Sequence, residues 1–173
     1  PEPLISDLLR TGDQLIVQVI KDPLGSKGAR LTTNISIPSR FLVLLPDCDV
    51  IGVSARIEED EERNRLKDLV HRLRDDAQGN GYIVRTNAEG VNDFALSADM
   101  AYLIKVWQSI LERAEAAPPS SCVYEDLSLP LRALRDMMHG QVDRVRIDSS
   151  GMLDEARHCA RRFLPDWLDR IKE

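Results

Sequence analysis

Near residue 59 the apolar residues of this chain change their period, and that change divides the chain into two kinds of structure. Before it, β-forming runs dominate. Residues 14–21 read QLIVQVIK, the turn cluster DPLGSKG follows, and ARLTTNISI comes next. Two strand-like runs around a Gly/Pro loop predict a long β-hairpin. Residues 41–45, FLVLL, form a short continuous apolar run ended by Pro46, as expected of a buried strand, and residues 50–53 extend the β-rich part. After the change, Leu66, Leu69, Val70, Leu73 and Ala77 recur at i, i+3, i+4, i+7 and i+11, one face of a helix. The acidic run Glu58, Glu59, Asp60, Glu61 and Glu62 reads as its solvated first turn, where carboxylates complement the macrodipole, and Gly79 and Gly81 end it.

The strand GYIVRT, 81–86, comes after this helix. A second helix is predicted from near Ser97, with Met100, Leu103, Ile104, Trp107, Ile110, Leu111 and Ala114 as its stripe and Pro118-Pro119 as its end. A brief strand around 122–124 leads to a helix beginning near Pro130 and closed by Gly140. The alternating run VDRVRID, 142–148, predicts a half-exposed strand, and a last helix covers about 152–163. From Gly81 onward, strand and helix alternate as in βαβ units. The fold class expected is α+β.

Composition excludes more than it identifies. The net charge of −6 argues against coating nucleic acid by charge alone, yet leaves room for a small basic pocket. No run approaches the roughly 18 apolar residues of a membrane span. Cys48, Cys122 and Cys159 are odd in number and form no C-x-x-C pair, which predicts idle thiols in a reducing cytoplasm, with neither a disulfide framework nor a zinc site. His71, His139 and His158 are scattered without metal-ligand spacing, so no metal site is expected. The opening Pro-Glu-Pro, without an initiator methionine, leads us to expect a piece of a longer protein.

Several motifs, in one order, carry a family likeness. KDPLGSKGARLTT, then SRFLVLLP, GVSARIE, YIVRTNAEGV and RDMMHGQVDRVRIDS resemble the ribonuclease E/G family through nearly the whole chain, the first and fourth in the wording of its G branch. The resemblance implies a single-strand-specific bacterial endoribonuclease of RNA processing and decay, which favours substrates with a 5′-monophosphate. It implies the closing strands of an S1-type OB-fold over residues 1–36, a mixed α/β 5′-sensor domain over 37–166, and the start of an RNase H-like segment at 167–173. The catalytic domain with its magnesium-binding aspartates is expected outside this chain. Catalytic residues are therefore not expected here, bound Mg2+ is expected only in the parent enzyme, and the parent is expected to be a cytoplasmic homo-oligomer.

The same resemblance assigns the 5′-phosphate pocket. A terminal phosphate offers three acceptor oxygens and calls for a guanidinium fork, a hydroxyl and a backbone N–H. Arg85 and Thr86 match the first two, Val43 matches the backbone position, and Ser39 stands where some relatives carry a glycine near the phosphate. Ala55 replaces an arginine of those relatives. Arg56 is its neighbour, but strand neighbours point to opposite faces. Lys27 matches an RNA-binding lysine on the OB-fold surface.

Each assignment has a plainer counterpart. Arg85 could be a strand-end arginine reaching solvent beside an ordinary β-forming threonine. Lys27 could simply keep a hairpin loop soluble. Arg144, Arg157, Arg161 and Arg162 read as a solvated face. For the chain as a whole the alternatives are an interdomain scaffold with no RNA-end selectivity, and a small enzyme using its own carboxylates such as Glu58 or Asp60.

Overall fold

A computed structural model describes residues 4–75, 79–137, 142–163 and 165–173. The fold is α+β, with its centre in a four-stranded sheet. A short helix α1 (Ile5–Leu8) precedes the hairpin of β1 (Gln18–Lys21) and β2 (Arg30–Thr32), a two-stranded antiparallel sheet of its own. Its strands are shorter than the apolar runs suggested, and Val17, Val19, Ile20 and Leu31 remain exposed on them or beside them. The hairpin is tied to the segment leading into the main sheet by Gln18, whose side-chain amide donates to Ser36 O (3.1 Å) and accepts from Ser36 N–H (2.8 Å).

Among the described residues, the first fully buried along the chain is Ile37. It opens β3 (Ile37–Pro38), which turns tightly into β4 (Leu42–Leu45). Next come β5 (Ile51–Val53), α2 (Asp60–Leu73) and β6 (Gly81–Val84), and the strand order is β3-β4-β6-β5. β4 runs antiparallel to β3 and β6, while β5 and β6 are parallel. The unit β5–α2–β6 is thus a βαβ crossover, earlier in the chain than the alternation suggested. Gly81 is required where β6 begins, because a Cβ there would lie 2.6 Å from Val50 O. Ala77, assigned to the α2 stripe by period, lies outside the described residues; the helix ends at Leu73, with the Arg74 N–H closing on Val70 O.

The long helix α3 (Asp93–Ala116) begins four residues before the predicted start. Asn92 supplies the cap that the apolar stripe did not reveal, its side chain accepting from Ala95 N–H at 2.9 Å. α2 and α3 pack on one face of the sheet, burying Leu42, Leu44, Tyr82 and Val84 against Leu66, Leu69, Val70, Leu96, Met100 and Leu103. Val43 and Ile83, a cross-strand pair, face the other side, where Ile83 is exposed. Residues 122–124 form no strand; Val123 and Tyr124 pack as irregular chain against this core.

A second apolar cluster lies farther along the chain. α4 (Leu129–Met137), β7 (Val145–Arg146), α5 (Ser150–Phe163), a 3₁₀ turn (Pro165–Arg170) and β8 (Ile171–Lys172) enclose Leu134, Leu153, Ala156, Ala160 and Ile171. β7 and β8 pair in parallel, so β7–α5–β8 is, among the described residues, the one stretch after Gly81 where the βαβ expectation describes the packing. A boundary at 166/167 would cut through this cluster, since Trp167, Leu168 and Ile171 pack with Leu134 and Ala156. The packing divides instead between Tyr124 and Leu131. Gly140 and His139 lie outside the described residues. Two arginines cross between the clusters: Arg135 donates to Pro38 O at 2.9 Å, and Arg162 donates to the Ser109 hydroxyl.

Candidate nucleic-acid interface

Parallel pairing puts the C-terminal ends of β5 and β6 at one edge of the sheet, next to the β3–β4 turn. Three short loops therefore converge there: residues 39–42, 54–57 and 85–91. Ser54 N–H donates to Val84 O (2.9 Å), and Arg85 N–H donates to Phe41 O (2.8 Å), which knits the three together.

Arg85 comes directly after β6 and leads into a 3₁₀ turn, Thr86–Ala88. Strand alternation puts its side chain on the open face with Ile83 and Val43. Its Nη1 donates to Ser39 O and lies 3.5 Å from Arg40 O. One nitrogen of the fork is thereby committed, and Nε and Nη2 have no protein acceptor among the described residues. Thr86 is half-buried beside it, and its hydroxyl has no hydrogen-bond partner among the described residues.

Ser39 is fully buried. Its hydroxyl lies 2.5 Å from Asp99 Oδ2 and 3.0 Å from Leu42 O, and its N–H donates to Leu42 O at 2.8 Å. A single O–H proton serves one acceptor, and the shorter, charge-assisted contact takes it. Ser39 is therefore a structural member of the site, with only its carbonyl turned toward Arg85. Val43 lies within β4, opposite Ile83. The ladder that carries Arg85 N–H to Phe41 O repeats every second residue, so the Val43 N–H points at β6. Val43 thus offers the site its half-buried side chain on the open face. Lys27 stands exposed at the tip of the β1–β2 hairpin, in a different sheet, where it and Leu24 exchange backbone hydrogen bonds of 3.0 Å.

Ala55 and Arg56 form a turn rather than a strand, so the opposite-face argument does not apply to them. Both are exposed at the same edge. This turn is held by Arg63 of α2, whose Nη1 donates to Ser54 O (2.7 Å) and Ile57 O (3.0 Å). The acidic run is solvated from Glu58 to Glu61, but Glu62 departs from the expectation. It pairs with Arg65 (2.6 Å) and accepts from Gly90 N–H (2.8 Å), while Arg65 donates to Val91 O (3.0 Å). The hydrogen bond from Arg65, with that from Gly90 behind it, brings the Glu62 carboxyl down to about 2. Gly90 is itself in the left-handed region, φ +69°, where a side chain is disfavoured.

Asp99 was missed by motif reasoning. It accepts from the Ser39 hydroxyl, Phe41 N–H (2.9 Å) and Leu42 N–H (3.0 Å), all on Oδ2. Burial pushes its carboxyl up from the ordinary value, and these bonds oppose the shift. A signal was present: Asp99 lies three residues after Leu96 and four before Leu103, on the buried stripe of α3, where a carboxylate must find donors. Among the described residues, no three His, Cys, Asp or Glu side chains are grouped to hold a metal ion, and no helix is long and apolar enough to cross a membrane. The cysteines are free, Cys159 buried and Cys122 exposed.

The family model described as "Ribonuclease E/G family" matches residues 36–173. The chain belongs to the ribonuclease E/G family. It is similar to ribonuclease G of Escherichia coli K12, 44% identical over 168 residues, which cover 97% of this chain and 34% of that protein. Ribonuclease G of Haemophilus influenzae is 42% identical over 96% of this chain and 34% of its own length. Ribonuclease E of E. coli K12 is 36% identical over 98% of this chain and 16% of its own. The chain thus spans about a third of the length of the ribonuclease G relatives it matches.

Proposed function

We propose that this chain binds the 5′-monophosphate end of single-stranded RNA at the sheet edge carrying Arg85 and Thr86, as the end-sensing part of a bacterial endoribonuclease of RNA processing and decay. The observation that carries this reading is the half-committed fork of Arg85. Nη1 is anchored on the 39–42 turn, which fixes the plane of the guanidinium, while its remaining donors and the Thr86 hydroxyl are left for a ligand. A terminal phosphate fits that set, because a planar fork matches two of its oxygens and a hydroxyl can donate to the third. Val43 and Ser39 frame the pocket. Lys27 contributes to the path of the strand farther along.

A 5′-hydroxyl leaves those donors unmatched. Charge-assisted hydrogen bonds contribute about 1.5–3 kcal/mol each, so the phosphate should raise affinity about ten- to a hundredfold. The parent enzyme is proposed to be a cytoplasmic homo-oligomer that cuts with magnesium bound outside this chain, and no cleavage step is assigned to these residues.

The scaffold reading also has an observation behind it, since the bond from Arg85 to Ser39 O is what a purely structural strand-end arginine would make. A fluorescence anisotropy titration with short single-stranded RNA bearing a 5′-monophosphate or a 5′-hydroxyl separates the two. The chain should prefer the monophosphate, and Arg85→Ala should bind both alike. Equal affinities in the unmodified chain would favour the scaffold; a preference that survives Arg85→Ala would place the pocket elsewhere.

A further inference from the structure

The peptide units 39–40 and 40–41 lie between two opposite charges. On the side of α3, the Phe41 N–H donates to Asp99 Oδ2 at 2.9 Å, and the Arg40 N–H also bonds to this carboxylate. On the side of the open face, the Ser39 and Arg40 carbonyls lie against Nη1 of Arg85. Both peptide dipoles therefore run from the Asp99 carboxylate to the Arg85 guanidinium. Each charge polarises the unit that the other binds, and such chains strengthen cooperatively in a low-dielectric setting. The Ser39 hydroxyl and the Leu42 N–H complete the hold of Asp99 on this turn.

We propose that Asp99 is the positioning residue of the 5′-phosphate site, setting the plane of the Arg85 guanidinium through the 39–41 peptides without touching the RNA. The inference rests on the phosphate reading of Arg85. It goes beyond it by assigning the selectivity in part to a buried carboxylate on the far side of the sheet edge. Geometry gives the reason. A fork selects a phosphate only if its orientation is fixed, and a loosened fork binds phosphates anywhere on the strand. With the Asp99 charge removed, the hold on the turn weakens and Arg85 becomes a more mobile cation, able to support general binding but not end recognition.

The test measures the ratio of affinities for 5′-monophosphate and 5′-hydroxyl RNA in the unmodified chain and in Arg85→Ala, Asp99→Asn, Ser39→Ala and the double variant Arg85→Ala/Asp99→Asn, with a thermal melt of each. Loss of stability alone would leave the ratio unmoved in the folded fraction. Asp99→Asn should lower the ratio to within about threefold of unity while changing affinity for the 5′-hydroxyl strand by less than about threefold, and Ser39→Ala should lower it part of the way. In the double variant the ratio should equal that of Arg85→Ala, since residues acting through one group are not additive. If Arg85→Ala keeps the preference, the phosphate reading itself fails. If Arg85→Ala loses it while folded Asp99→Asn keeps it, the role of Asp99 is overturned. Should Asp99→Asn not fold, Ser39→Ala decides: an unchanged ratio overturns the proposal, a lowered one supports it.

Discussion

A buried carboxylate is costly unless donors surround it, and here those donors come from the backbone of one tight turn. Asp99 meets the N–H groups of Arg40, Phe41 and Leu42 and the Ser39 hydroxyl, so residues 39–42 are held by a side chain as well as by the β-ladder. The same scale explains Gly81. A Cβ there would press on Val50 O at 2.6 Å, where backbone cannot yield cheaply. Gly81→Ala is expected to cost about 3 kcal/mol by overpacking, read as a lowered urea midpoint with an unchanged slope. Site residues differed in how much the sequence could say of them. Arg85 and Thr86 are named by a motif in register, and the structure sets them side by side at the end of β6. Ser39 was legible as a position but not as a role, because nothing in the string SRFLVLL says that its hydroxyl meets a carboxylate 60 residues later.

At the scale of elements, α2 does more than cover the sheet. Arg63 fastens the turn after β5, and Glu62 with Arg65 fastens the loop after β6, so one helix turn sets two of the three loops at the site. A pH dependence arises from Glu62. Its carboxyl is depressed in the folded chain to about 2 from an ordinary 4.5, so its contribution is present above the ordinary value and is lost as pH falls from about 4.5 toward 2. Glu62→Gln should therefore lower stability at pH 7 by about 0.5 kcal/mol, the scale of a partly exposed pair. The two curves of stability against pH should merge in that acid window. A difference that persists well below pH 2 would mean that the glutamate acts by packing rather than by charge. Element types were largely legible: α2 and α3 follow their apolar stripes, and α4 carries Pro130 in its first turn as expected. Boundaries were less so. The start of α3 depends on the Asn92 cap, and the expected strand at 122–124 fails because its residues find core contacts but no strand to pair with.

Over the whole molecule, two apolar clusters lie side by side, with α5 of the second in contact with α3 of the first. The first packs α2 and α3 on the four-stranded sheet; the second closes around Ile171, near the end of the chain. Ile171→Ala removes a side chain only 1% exposed and should cost about 2–5 kcal/mol locally. Amide hydrogen exchange should show lost protection in α4, α5 and β7 and retained protection in β4 and β6. Equal loss in both would mean that the clusters unfold as one unit. The family resemblance implies a boundary at 166/167. The packing runs across that position, since Trp167 and Ile171 fold back on the helices before it. Resemblance and periodicity say which segments are apolar; they do not say which apolar segments meet.

The central claim is that a terminal phosphate seats on Arg85 at the edge of the four-stranded sheet. Its most direct test is a heteronuclear NMR titration of the chain with two short RNAs that differ only at the 5′ end. With the 5′-monophosphate, the Arg85 side-chain Nε–H and the amides of residues 39–42 and 85–88 should shift most, and with the 5′-hydroxyl they should stay near their free positions. Equal shifts from both RNAs, or shifts centred on the β1–β2 hairpin around Lys27 with the sheet edge silent, would contradict the account.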